Sequence, residues 1–168
     1  MNDLTASELA EHHTDVKRHS DRELIITRTF DAPAHLVFEA WRRPELMMEW
    51  WTPKSFGITF LSCELELRTG GTYRFTFGHP DFDQPMSFHG KYLEVVPGEK
   101  IVWTNEEDPN GSVTTVTLTE KDGKTLLVLS DLYPSKEALD AAIESGSTGA
   151  YPEQFAALDG VLDGLQGG

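Results

Sequence analysis

The sequence contains a single cysteine, Cys63, in 168 residues. One thiol excludes an intrachain disulfide and a thiolate metal cluster. Positive charge is scarce too: 14 Lys and Arg stand against 28 Asp and Glu, a formal net charge of -14. Binding nucleic acid through its phosphates needs a basic surface, and only Lys17, Arg18 and Arg22 come near to forming one. Nucleic acid is therefore excluded as a partner, and an anionic membrane surface is disfavoured. No apolar run approaches the roughly 20 residues of a membrane span, and the opening MNDLTASELAEHHTDVKRHSD lacks the basic-then-apolar layout of a secretory signal. Together these absences predict a cytoplasmic protein without membrane insertion. Its 39% hydrophobic and 25% charged content is that of a globular chain, of a length that suits one domain with its own core.

Residues 1–20 are polar and weakly patterned and read as a tail or a short frayed helix; residues 21–168 read as one domain. His12, His13 and His19 belong to that tail and read as solvated. ELIITRTF is a strand, and Asp31-Ala-Pro33 is a helix start, a capping carboxylate followed by proline. Leu36, Val37, Ala40 and Trp41 then recur at helical spacing, and PELMMEWW forms a second short helix ended by Pro53. From residue 56 the pattern turns to alternation. ITFLSCELELR, TYRFTF, MSFHGKYLEVV, KIVWTNEE, VTTVTLTE and TLLVLSDLY are strands punctuated by Gly70-Gly71, Pro97-Gly98, Asn110-Gly111 and Asp122-Gly123. SKEALDAAIES is a helix capped by Ser135. A last helix begins near Pro152, with Tyr151, Phe155, Leu158, Leu162 and Leu165 in one apolar stripe. A meander of this kind wrapped on a terminal helix is an α+β arrangement with six to seven strands.

Between sheet and helix lies a space whose inward positions are large and aromatic: Tyr73, Phe75, Phe77, Phe88, Tyr92 and Trp103. Aromatics with polar tips in a concave sheet suit an apolar ligand with one or two polar handles. Periodicity alone leaves a filled core equally open. Trp50 and Trp51 pose the same choice, since adjacent helical residues diverge by about 100°.

The run Asp31-Ala-Pro33…Val37-Phe38-Glu39-Ala40-Trp41, then Pro44-Glu45-Leu46…Trp50-Trp51-Pro53 and Leu67-Arg68-Thr69-Gly70-Gly71-Thr72-Tyr73-Arg74, resembles the homologues of the activator of the ninety-kilodalton heat-shock protein ATPase, in the START-like, polyketide-cyclase-like SRPBCC superfamily. Gly90 with Glu94-Val95-Val96-Pro97, Ile101-Val102-Trp103-Thr104, Val113-Thr114, Val116 and Gly123-Lys124-Thr125 extend the match over roughly residues 22–165. The resemblance implies a helix-grip fold, a curved antiparallel sheet gripping the C-terminal helix around a hydrophobic cavity. One of Trp50 and Trp51 would then wall the cavity and the other would pack near Trp41. The chain departs from the pattern at Asp131, where many relatives carry histidine at the end of the last strand, and at Thr69, where proline is common. The full eukaryotic activator has a separate N-terminal domain that engages the chaperone, and residues 1–20 are too short to be one.

The expected function is to carry or sense a hydrophobic small molecule. The candidate ligand-binding residues are Trp50, Trp51, Phe56 and the inward aromatics Tyr73, Phe75, Phe77, Phe88, Tyr92 and Trp103. Leu127, Leu129 and Asp131 on the last strand and Phe155, Leu158 and Leu162 on the terminal helix complete the set. No cofactor, metal or catalytic constellation is indicated: Cys63 lies mid-strand with no histidine near it in sequence, and His79, Asp81, Asp83 and His89 read as a solvated loop. A cyclase, dehydratase or hydrolase using the same cavity is the alternative, with Asp131 as an acid or base if burial raises its pKa. A protein-binding regulator rests on the family name alone. The last strands read as apolar on both faces, Leu126 and Val128 alternating with Leu127 and Leu129, which predicts a homodimer through the outer face.

Overall fold

Alternation along the strands decides the architecture. Every second residue of Glu23–Phe30 is buried, as are Thr125, Leu127, Leu129 and Asp131 of Lys124–Leu132 and Tyr73, Phe75 and Phe77 of Thr72–Gly78. Strands with one buried face form a sheet covered on one side. The computed structural model describes residues 14–52, 55 and 57–167. Its strands are β1 (Asp15–Arg18), β2 (Glu23–Phe30), β3 (Thr59–Leu65), β4 (Thr72–Gly78), β5 (Met86–Val96), β6 (Lys100–Thr104), β7 (Val113–Lys121) and β8 (Lys124–Leu132). They form one eight-stranded antiparallel sheet in the order β1-β2-β8-β7-β6-β5-β4-β3. The helices are α1 (Ala34–Arg42), α2 (Pro44–Trp50), α3 (Lys136–Glu144) and the long α4 (Tyr151–Gly167), preceded by a 3-10 turn at Ser147–Ala150. The fold is α+β, a curved sheet gripping a C-terminal helix.

Several local features differ from the sequence reading. The sheet has eight strands where six to seven were expected. The extra one, β1, lies within residues read as a tail: Asp15–Arg18 pair with Leu24–Thr27 through the backbone, and all four side chains are exposed, so no alternation advertised them. The cap of α1 is not Asp31. Pro33 holds the N-cap position, and the Ala34 N–H donates instead to Glu120 Oε1 at 2.7 Å, from the end of β7. In β3 a register shift between Phe60 and Ser62 expels Leu61, half exposed, and returns Cys63 and Leu65 to the inner side.

Two turns fix the frame around the cavity described below. Asp122 (φ 55°) and Gly123 (φ 77°) make a two-residue hairpin of the kind that needs two left-handed residues. The register follows outward from it and sets Thr114 opposite Asp131. In β5, Gly90 lies under the end of β6: a Cβ there would stand 2.1 Å from the Thr104 carbonyl oxygen. Glycine lets that strand end close in, and the same carbonyl accepts from the Tyr73 hydroxyl at 2.6 Å.

The core lies between the concave face and α1, α2 and α4. Phe155, Leu158 and Leu162 of α4 are buried, Phe155 meeting Phe30 edge-on at 5.5 Å. Arg28, buried on β2, is held by Asp159 of α4 and lies 5.1 Å from the Phe30 ring. The Ser135 hydroxyl caps α3, accepting from the Ala138 N–H at 3.1 Å.

Candidate functional site

α4 covers only one part of the concave face. Beside it, the small residues Ala138, Ala141 and Ala142 of α3 and Ser145 at its C-cap line the space over the sheet, at positions that share one side of a helix. Short side chains there leave room, and a cavity of about 670 Å³ lies between α3, the start of α4 and strands β4 to β8. That volume is in the range of small-molecule sites.

One wall is aromatic, formed by Trp51, Phe77, Phe88 and Trp103, with Ile58, Phe82 and Met86 beside them. Trp51 follows directly on α2, and its carbonyl accepts from Gln154 Nε2 of α4. Its ring is 6.3 Å from Trp103 and 5.9 Å from Phe75. Trp50, its neighbour, meets the Trp51 ring edge-on at 5.4 Å but does not line the cavity. It is fully buried against Trp41, with ring centroids 4.5 Å apart, and its indole donates to the Ala40 carbonyl at 3.0 Å.

The other end of the cavity is polar and centres on Asp131. The Thr114 hydroxyl donates to its Oδ1 at 2.6 Å, and the Tyr151 hydroxyl of α4 donates to Oδ2. Asn105 Nδ2 donates to Thr114 Oγ1 at 3.2 Å and to the Ser112 carbonyl at 2.8 Å, and the Tyr73 hydroxyl lies 3.3 Å from Asn105 Oδ1. The chain from Asn105 through Thr114 and the bond from Tyr151 thus converge, donor by donor, on one carboxyl group. Among the described residues no Lys, Arg or His forms an ion pair with Asp131. Burial therefore dominates and raises its pKa, against the opposing pull of Thr114, Tyr151 and Ser112. Burial, and then the Asp131 charge, push Tyr133 up to about 12 and raise Tyr151 as well. Glu107, Asp108 and Glu137 are exposed at the rim.

The raised Asp131 pKa predicts a pH dependence of stability. Below the ordinary Asp value of 3.8 both folded and unfolded forms are protonated. As pH rises from there, the unfolded chain ionises first, and stability is lost by about 1.4 kcal/mol per pH unit until the folded carboxyl ionises too. Asp131→Asn removes that loss. Urea unfolding of both proteins should show the variant gaining on wild type as pH rises above about 4, with no gain below it; equal pH profiles would refute the assignment.

The sequence-expected residues divide into three groups. Trp51, Phe77, Phe88, Trp103 and Asp131 line the cavity. Tyr73, Phe75 and Tyr92 line, with Trp51, Phe88 and Trp103, a neighbouring void of about 20 Å³ that also touches Trp41 and Met47. Trp50, Leu127, Leu129, Phe155, Leu158 and Leu162 lie in the packed core and line neither space. Phe56 lies outside the described residues. The sequence reading did not pick out Thr114, Asn105, Tyr133 or α3 as site elements, and it took Tyr151 for part of an apolar stripe. Thr114 was within reach, because counting outward from Asp122-Gly123 pairs it with Asp131.

The model of the family described as Activator of Hsp90 ATPase homolog 1-like protein matches residues 31–163. Among solved structures, a Rhodobacter sphaeroides protein superposes with a TM-score of 0.82 at 22% identity, covering 91% of this chain and 99% of its own. A Nitrosomonas europaea protein gives 0.80 at 19% identity, over 90% and 100%. A Mycobacterium smegmatis protein gives 0.74 at 25% identity, over 90% and 98%. No curated protein matches the chain.

Proposed function

The chain belongs to the family of Activator of Hsp90 ATPase homolog 1-like proteins, of START-like fold, and from that premise we propose that it binds a small, largely apolar molecule with a polar handle, as a carrier or sensor. The observation that carries this reading is the cavity of about 670 Å³, with Trp51, Phe77, Phe88 and Trp103 on one wall and Asp131, Thr114 and Tyr151 at its end. Aromatic faces contribute buried area, and a few converging polar groups orient the ligand. The fold supports a ligand-binding or regulatory role.

Titration with an uncharged hydrophobic dye tests it. Trp51 and Trp103 border the cavity, so binding should quench intrinsic fluorescence saturably. The double variant Trp103→Ala, Phe77→Ala should bind at least about tenfold more weakly, the loss expected when two central apolar anchors are truncated. Saturable quenching with unchanged affinity in the variant would place the ligand elsewhere.

Asp131 favours a second reading, an enzyme of the cyclase, dehydratase or hydrolase kind. A buried carboxyl with a raised pKa at the end of a cavity suits proton transfer. Under that reading Asp131→Asn abolishes turnover of a bound substrate while binding persists. For assembly, the outer face of β7 and β8 exposes Leu126, Leu132 and Val113. A homodimer through that face predicts concentration-dependent sedimentation that Leu126→Lys abolishes.

A further inference from the structure

The character of the polar handle follows from charge. The cavity lining includes four carboxylates, Glu107, Asp108, Asp131 and Glu137, and among the described residues that line it there is no Lys, Arg or His. The three at the rim are exposed; Asp131 is buried at the inner end, and a carboxylate can accept more hydrogen bonds than those from Thr114 and Tyr151. The Thr114 and Tyr151 hydroxyls both donate to it, the arrangement an anion needs, yet among the described residues no cation accompanies it. On the aromatic wall of the same cavity Trp51 and Trp103 meet edge to face, 6.3 Å apart and inclined at 65°. Aromatic faces attract a cation, more strongly once it is desolvated, and an opposite charge close by favours the ionised form of a buried carboxyl. An anionic ligand would meet no counter-charge among the described residues of this lining.

We propose that the cavity selects cationic amphiphiles: an apolar body against the aromatic wall, with an amine or other ammonium group between the two tryptophans and Asp131. This rests on the cavity being a ligand site, as proposed above, and narrows its ligand class from weakly polar to positively charged. Asp131 is the counter-ion, Thr114 and Tyr151 hold its oxygens, and the rim carboxylates draw the cation in from solution.

Three ligands sharing one ring system separate the two claims: 1-naphthylmethylamine, 1-naphthalenemethanol and 1-naphthoate, titrated calorimetrically into the wild-type protein. The alcohol should bind, which tests the cavity itself. The amine should bind at least about tenfold more tightly than the alcohol, and the carboxylate should bind most weakly. The amine's advantage should persist when salt is raised from about 50 to about 500 mM, because a buried pair is screened far less than exposed charges. Asp131→Asn, with its fold checked by circular dichroism, should erase the amine's advantage over the alcohol. Alcohol binding equal to or tighter than amine binding overturns the proposal while leaving the cavity reading intact. So does an advantage that disappears at high salt, which would assign it to the rim, or one that survives Asp131→Asn. Failure of all three ligands to bind overturns both.

Discussion

Trp50→Ala should lower the unfolding free energy by about 3–5 kcal/mol, the range for truncating a buried tryptophan. Trp50 has no exposed surface, packs its ring on Trp41 at 4.5 Å and joins α2 to α1. It also serves a backbone group. The last four carbonyls of a helix have no partner within it, and Ala40, near the end of α1, finds its partner in the Trp50 indole at 3.0 Å. Truncation therefore leaves both a cavity and a buried carbonyl without a donor. Trp50→Phe, which keeps a ring and loses only the N–H, should cost clearly less. Trp51→Ala should behave differently: Trp51 is half-buried and borders the cavity, so ligand affinity should fall more than stability does. Urea unfolding with and without the dye separates these outcomes. If Trp50→Ala and Trp51→Ala proved interchangeable in both measurements, the division between a core ring and a wall ring would be wrong.

Leu158→Ala should cost about 2–5 kcal/mol. Leu158 is fully buried on α4 and borders neither the cavity nor the small void. The helix has little preference of its own, because Gly160 and Gly164 each disfavour it by about 1 kcal/mol relative to alanine. Packing of Phe155, Leu158 and Leu162 on the sheet must hold it. A ligand bound only by the folded state stabilises wild type and variant equally when its site is unaffected. The gap between their melting temperatures should therefore be the same with and without the dye. A gap that closes on adding ligand would mean that Leu158 borders the ligand after all.

The fold was legible where side chains alternate. TYRFTF and TLLVLSDL announce β4 and β8 because a two-residue period marks a strand with one buried face, and Asp122-Gly123 marks the turn from β7 into β8. β1 was not, because an exposed edge strand is held by backbone pairing that DVKR does not encode in its side chains. The site was legible in direction but not in depth. Period placed Leu127, Leu129, Phe77 and Asp131 on the same inner face, yet the first two lie beneath packed helix and the other two border open space. What divides them is the position of α4 and α3 over the sheet, a long-range matter. Tyr151 shows the same limit: on a helical wheel it joins Phe155 in an apolar stripe, while its hydroxyl end reaches Asp131, 20 residues earlier in the chain.

The placement of β2 bears on the order in which the molecule assembles. β3 through β7 each pair with the next strand along the chain, whereas β2 pairs with β8, Glu23 opposite Leu132 and Phe30 opposite Thr125. Contacts between residues about a hundred positions apart carry a loop-closure entropy that short hairpins avoid, and such topology slows folding. The meander therefore forms first, and β2 can dock only when β8 exists to receive it. Until then the edge of β8, with its inward Leu127 and Leu129, stays unpaired, and that half-built sheet is the species most prone to aggregate during synthesis.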